Sequence, residues 1–241
     1  MSGHNKWSKI KNKKGAADAK RGAIFTKLAK AITLAARDGG GDPGMNFKLR
    51  ISIDAAKAAN MPNDNVERAI KRGTGEGEGG EMIEGLFEAY GPSGVALVIE
   101  TLSDNKNRIS AEVSTTIKKS GANQAESGSV LFNFERKGVI SFLDTKEKIA
   151  DVDEFELAMI DAGADDIVIE DEGAMITGEL ASFQKLVEAV EANGIQPDEA
   201  SLQYVAKMPL EIDASTQQKV DNIIEALEDL DDVQNVFTNV A

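Results

Sequence analysis

The side chains best suited to chemistry are basic residues crowded into the first 30 positions, with the chain's only tryptophan among them. Nine lysines and arginines stand there against one acid, Asp18, which leaves a net charge of +8. Ammonium groups neutralise phosphates and release counterions, and an indole ring can stack on an exposed base. The pattern therefore predicts a nucleic-acid-binding surface formed by Lys6, Trp7, Lys9, Lys11, Lys13, Lys14, Lys20, Arg21, Lys27 and Lys30.

Residues 1–14 have too little apolar periodicity to fold alone, so we interpret them as an arm that orders on a phosphate-rich surface. A second interpretation stays open for Trp7. Together with Ile10, it could simply pack the arm onto the helices that follow. Such packing would not account for the density of lysines around it.

The chain lacks the residues on which many enzyme classes depend. Cysteine is absent, which excludes disulfides, thiol nucleophiles and iron–sulfur clusters, and His4 is the only histidine, so no HExxH site exists. The acidic clusters lack EF-hand spacing and are expected to be solvated turns and helix ends. We therefore expect no catalytic residues, no metal site, no cofactor and no enzymatic activity.

The formal net charge of −14 conceals a division between two parts of the chain. Residues 1–72 hold 16 basic and 6 acidic residues, a net charge of +10, whereas residues 73–241 hold 11 and 35, a net charge of −24. A basic segment joined to a larger acidic body indicates that nucleic acid contacts the basic part. The longest unbroken apolar run covers only residues 95–99, and no apolar signal core is present, so we expect a cytoplasmic location and no membrane partner.

The spacing of apolar residues predicts three helices in the basic segment. The first covers residues 15–37, the second 45–59, and the third runs to Gly73 from an Asp64 cap with Glu67 in the capping-box position. A glycine-rich linker at 73–80 follows. Its match to G-x-G-x-x-G is not a dinucleotide motif, because the preceding element is a basic helix rather than a strand.

Strands and helices alternate after the linker. Residues 86–102 are typical of a hairpin, 107–120 of a helix and 129–134 of a further strand. Residues 137–205 follow the order βαββαβ of a ferredoxin-like domain, and the tail contains a strand at 210–212, a helix at 216–230 and a strand at 233–238. We expect the tail to complete the sheet that begins at residue 86.

The predicted fold class is therefore α+β, with an N-terminal three-helix domain followed by two α/β domains, the last of them ferredoxin-like. The predicted domains are a basic helical domain at 1–75, a discontinuous α/β domain at 82–135 plus 207–241, and an inserted ferredoxin-like domain at 137–205.

Several sequence motifs resemble those of one known family. They include Gly3-His4-Asn5-Lys6-Trp7-Ser8-Lys9, Asn60-Met61-Pro62-Asn63-Asp64-Asn65, Tyr90-Gly91-Pro92-Ser93-Gly94, Gly128-Ser129-Val130 and Phe134-Glu135-Arg136-Lys137-Gly138. In these motifs, and in their order along essentially the whole chain, the sequence resembles the YebC/PmpR family.

The resemblance implies a three-domain cytoplasmic protein that regulates gene expression. Members are described as transcriptional regulators that bind DNA, or as translation factors that act on the ribosome and relieve stalling. The partner is accordingly expected to be promoter DNA, or rRNA and tRNA on the ribosome. An arm made mostly of lysine favours contacts to the nucleic-acid backbone over base readout.

Overall fold

A computed structural model describes residues 18–76 and 82–241, with side chains described from residue 22 onward in the first range. Two compact units are present, one made of Asp18–Glu135 and Tyr204–Ala241, the other of Arg136–Gln203. The elements in chain order are α1 (Asp18–Gly39), α2 (Phe47–Ala58), α3 (Asn63–Gly73), β1 (Ile83–Tyr90), β2 (Ala96–Ser103), α4 (Lys106–Lys119), β3 (Asn123–Gln124), β4 (Phe134–Leu143), α5 (Thr145–Lys148), α6 (Val152–Ala162), β5 (Ala164–Ile169), β6 (Gly173–Gly178), α7 (Phe183–Ala192), β7 (Glu199–Ala206), α8 (Ala214–Glu228) and β8 (Val233–Thr238).

Helices α1, α2 and α3 pack together in the first unit. Asn46 caps α2, where its Oδ1 accepts the N–H of Leu49 at 3.1 Å and so satisfies one donor that the helix leaves free. Helix α3 follows Pro62 without a side-chain cap, so the capping box predicted from Asp64 and Glu67 is wrong. Asp64 still lies in the first turn, where a negative charge favours the helix N-terminus. The buried core of the three helices consists of Ile32, Ala35, Ala36, Leu49, Ala56, Met61, Val66 and Ala69.

The same unit contains an antiparallel sheet with strand order β3-β1-β2-β8. Strands β1 and β2 form the predicted hairpin, with Phe87 opposite Ile99. Strand β8 pairs with β2, so the tail does complete the sheet begun by the hairpin. Helices α4 and α8 contribute Ile109, Val113, Ile117, Val220, Ile223, Ile224 and Leu227 to the core beneath it.

The second unit has a ferredoxin-like arrangement. Its elements run βαββαβ when the one-turn helix α5 is set aside, and the sheet order is β5-β6-β4-β7. The rings of Phe142 on β4 and Phe155 on α6 meet edge to face at 5.9 Å between centroids, which joins sheet and helix in the core. The α+β fold class is thus confirmed. The exact boundaries of the three domains stay a prediction.

Two predicted strands are absent from the described residues. The strand at 129–134 is wrong, because residues 131–133 form a 3-10 turn and β4 begins only at Phe134. The N–H groups of Gly128, Val130 and Leu131 all donate to the carboxylate of Glu88, which leaves them unable to pair with a strand. The strand at 210–212 is reduced to one bridge, between Leu210 and Val240. In the part of the chain that the structure describes, no helix is long and apolar enough to span a membrane.

Candidate nucleic-acid interface

The ten predicted binding residues divide into three groups. Lys6, Trp7, Lys9, Lys11, Lys13 and Lys14 lie outside the described residues. Lys20 and Arg21 lie in helix α1, which is described at those positions by its backbone alone. The structure therefore gives side-chain contacts for two members of the set, Lys27 and Lys30.

Lys30 reaches from α1 to the turn between α8 and β8, which we call the α8–β8 turn (residues 228–232). Its Nζ donates to the carbonyl oxygen of Asp231 at 2.7 Å and forms an ion pair with Asp232. Asp232 is 4% exposed and also accepts from Ser103 Oγ at 2.6 Å and from Arg108 Nη2 at 2.8 Å. Burial alone would raise the pKa of Asp232, but these three donors outweigh it and lower the pKa below its ordinary value.

Lys27 contacts the same turn one helical turn earlier on α1. Its Nζ donates to the carbonyl oxygen of Glu228, the last residue of α8. A cation is favourable there because the free carbonyls at a helix C-terminus carry partial negative charge. Burial lowers the pKa of Lys27, and the nearby carboxylates of Glu228, Asp229 and Asp231 offset only part of that effect.

These contacts make Lys27 and Lys30 part of the packing between α1 and the α8–β8 turn. Both ammonium groups already have oxygen partners within the unit. A phosphate that bound either lysine would have to replace those partners.

A cleft of about 430 Å³ lies beside this contact, between α1, α3, α4 and the α8–β8 turn. Its charged lining consists of Lys30, Arg72, Arg108, Asp104, Glu112, Asp229, Asp231 and Asp232. Acids outnumber bases in this lining, so the cleft does not attract a phosphate.

Two exposed lysines of α2 are partly neutralised by nearby acids. Lys48 lies 3.3 Å from Asp38, and Lys57 lies 3.1 Å from Asp54. Such exposed pairs are weak, and a phosphate can compete for their cations. Lys71, in the last turn of α3, is exposed as well. The described helices therefore offer a modest positive surface.

The acidic clusters have local structural roles. Asp151 caps α6 by accepting the N–H of Glu154 at 3.0 Å, and Asp171 pairs with Lys146 at 2.7 Å. Within residues 18–76 and 82–241, no group of three or more histidine or acidic side chains is placed to hold a metal ion.

One ordered surface loop, residues 125–133, covers most of the segment that the sequence wrongly predicted as a strand at 129–134, and we call it the Phe132 loop. Glu88, 4% exposed on β1, accepts the N–H groups of Val130 at 2.6 Å and Leu131 at 2.8 Å, and also that of Gly128. Burial alone would raise the pKa of Glu88, but the three N–H donors outweigh it and lower the pKa. A glutamate within an apolar strand is the one local signal that could have indicated this loop.

Comparison with known proteins shows similarity along almost the whole chain. Residues 5–76 match a family model described as the TACO1/YebC protein N-terminal domain, and residues 82–240 match one described as the TACO1/YebC second and third domain. A protein of Pseudothermotoga lettingae named "Probable transcriptional regulatory protein" is 46% identical over 99% of this chain and 93% of its own length. A protein of the same name from Halothermothrix orenii is 47% identical over 99% of this chain and 94% of its own length.

One solved structure is also similar. The crystal structure of a conserved hypothetical protein from Aquifex aeolicus superposes with a TM-score of 0.84 at 38% identity. The match covers 94% of this chain and 93% of that one.

Proposed function

The chain belongs to the TACO1/YebC family, and we propose that it regulates gene expression by binding nucleic acid through its basic N-terminal region. One observation carries the proposal, namely the net charge of +10 on residues 1–72 beside −24 on the rest. Proteins that bind nucleic acid gain most of their non-specific affinity from cations that replace counterions on phosphates. A single basic segment on an acidic protein is the natural place for that contact.

The contacts of Lys27 and Lys30 support the arm as the main binding element. Their ammonium groups are held by the α8–β8 turn. The remaining members of the predicted set lie at or before Arg21. We propose that the principal phosphate contacts come from Lys6, Lys9, Lys11, Lys13, Lys14, Lys20 and Arg21, with Trp7 stacking on a base or sugar.

The composition of the arm favours contacts to the phosphate backbone. Base readout in the major groove uses arginine, asparagine or glutamine side chains held on an ordered element, whereas the arm carries mainly lysines. Lysine acts as a point charge that does not distinguish one base from another. This chemistry suits structured RNA, or DNA bound with weak sequence preference.

A second candidate function is that of a translation factor on the ribosome. The observation in its favour is the net charge of −24 on residues 73–241, because a long DNA duplex repels so acidic a body. Basic ribosomal proteins beside rRNA would tolerate it. On this proposal the arm contacts rRNA or tRNA, and most of the acidic part of the chain faces protein.

Crosslinking in cells followed by sequencing of the bound nucleic acid tests both roles. Enrichment of promoter DNA supports a transcriptional regulator, whereas enrichment of rRNA and tRNA supports the translation factor. The matched control is the same chain with Lys9, Lys11, Lys13 and Lys14 replaced by alanine, which should recover neither. Equal recovery by both proteins would contradict the proposed role of the arm.

A further inference from the structure

Phe132 presents an aromatic ring to solvent on the surface of the first unit. Its side chain is 64% exposed, whereas Val130 and Phe134, two positions away on either side, are 0% and 5% exposed. The two buried neighbours belong to one apolar cluster with Ala96 and Val98 of β2. The chain is therefore anchored on both sides of a residue that points outward.

The backbone of the Phe132 loop is fixed by contacts to β1. The carboxylate of Glu88 accepts three of its N–H groups, the Glu88 carbonyl accepts the N–H of Ala125 at 2.8 Å, and Tyr90 donates its hydroxyl to the carbonyl of Ser129 at 2.7 Å. A loop held in this way loses little backbone entropy when its exposed side chain binds a partner.

A second segment lies against the same loop. The N–H of Lys207 donates to the carbonyl of Asn133 at 2.8 Å, which places Lys207 against the residue that follows Phe132. Lys207 is exposed, and Met208 is 74% exposed. The exposed residues Phe132, Lys207 and Met208 thus lie on two adjoining segments of the surface.

The size of this surface decides between two kinds of partner. A phenylalanine offers about 150–250 Å² in all, so Phe132 and Met208 together expose at most ~300 Å². A stable protein interface buries about 800 Å² on each side. One aromatic face beside one cation is, in contrast, the usual arrangement for a single stacked base and its phosphate.

We propose that Phe132 is a stacking platform for an unpaired base of single-stranded nucleic acid, with Lys207 contacting the adjacent phosphate. The inference rests on the proposed function and adds a second contact to it, on a part of the chain remote in sequence from the arm. The arm contributes charge, and Phe132 distinguishes single strands from duplexes, whose bases are not free to stack on a protein ring.

The test measures binding of the full chain to a fluorescein-labelled 12-nucleotide RNA, once single-stranded and once annealed to its complement. Phe132→Leu keeps an apolar side chain and removes the ring. It should weaken single-strand binding by about 5-fold or more, since stacking contributes about 1–3 kcal/mol per base, and it should leave duplex binding unchanged. Phe132→Tyr should retain both affinities.

Leu157→Ala is the matched control, because Leu157 is 60% exposed on α6 of the other unit and should not affect binding. Urea unfolding midpoints of all variants should match that of the wild type, since both positions are exposed. Wild-type affinity of Phe132→Leu for the single strand, or an equal loss on the duplex, would overturn the proposal.

Three further outcomes separate this inference from the proposed function. If a protein copurifies with the wild type but not with Phe132→Leu, while both bind RNA equally, the surface binds protein and the stacking proposal is wrong. If the wild type binds neither RNA nor DNA, the proposed function fails, and the inference fails with it. If duplex binding requires the arm lysines but Phe132→Leu binds the single strand as tightly as the wild type, the stacking inference is wrong and the proposed function stands.

Discussion

Nη2 of Arg108 lies 2.8 Å from Oδ2 of Asp232, a carboxylate 124 positions later in the chain. Lys30 binds the other oxygen of the same carboxylate, and Ser103 donates to Oδ2. One buried acid thus joins helix α1, the end of β2, helix α4 and the α8–β8 turn. The helical part and the sheet part of the first unit are connected at this point.

Asp232→Asn should lower the free energy of unfolding by about 2–4 kcal/mol, because a buried ion pair loses its negative partner while the cations remain. Urea denaturation at pH 7 measures the change. Asp171→Asn is the control, since the Lys146–Asp171 pair is exposed and should cost less than about 1 kcal/mol. Equal losses in the two variants would show that Asp232 does not hold the helices to the sheet.

Glu88→Gln should reduce stability in a pH-dependent way. Because hydrogen bonds lower the folded-state pKa of Glu88, its carboxylate stabilises the protein above the ordinary glutamate pKa of 4.5, and this stabilisation is lost as pH falls through the folded-state pKa. The variant should be about 1–3 kcal/mol less stable at pH 7, and the difference should shrink below about pH 4.5.

Urea unfolding of wild type and Glu88→Gln at pH 7, 5, 4 and 3 checks this dependence. Glu84→Gln on the same strand is the control, because Glu84 is exposed and should show little effect at any pH. A Glu88→Gln deficit that stays constant from pH 7 to pH 3 would contradict the prediction.

Local periodicity was enough to predict most of the fold. Ile109, Val113 and Ile117 recur at four-residue spacing, and all three are buried in the core under α4. The alternation at residues 129–134 would place Val130, Phe132 and Phe134 on one face, but Val130 and Phe134 are buried and Phe132 is exposed. It wrongly indicated a strand, because the partner of the backbone N–H groups is a carboxylate 40 or more residues away.

The candidate site was harder to predict for the same physical reason. Lys27 and Lys30 look like any other member of the basic set, and only the fold places them on the carbonyls and carboxylate of the α8–β8 turn. The spacing of neighbouring residues in the sequence cannot predict contacts between residues about 200 positions apart. The charge division of the chain, in contrast, can be counted directly from the sequence.

Lys30→Ala should affect stability more than nucleic-acid binding. Removing Nζ leaves Asp232 with two donors instead of three, and we expect a loss of about 1–3 kcal/mol in the free energy of unfolding. Affinity for nucleic acid should stay within about 2-fold, a change under 0.5 kcal/mol. On the same preparations, urea unfolding measures the free energy of unfolding and fluorescence anisotropy measures the affinity for nucleic acid. An affinity loss of 10-fold with unchanged stability would return Lys30 to the binding surface.

Replacing Lys9, Lys11, Lys13 and Lys14 with alanine should abolish binding to both duplex and single-stranded probes. If the arm neutralises about six phosphates on duplex DNA, the wild-type log K should fall with log[salt] at a slope of roughly −5. Stability should be nearly unchanged, because we expect the arm to order only on its partner and so to contribute little to the free protein. Anisotropy titrations at several salt concentrations measure the slope, and thermal unfolding measures the stability.

A large drop in melting temperature would instead support packing of Trp7 and its neighbours against the protein, and a flat wild-type salt dependence would contradict an electrostatic arm.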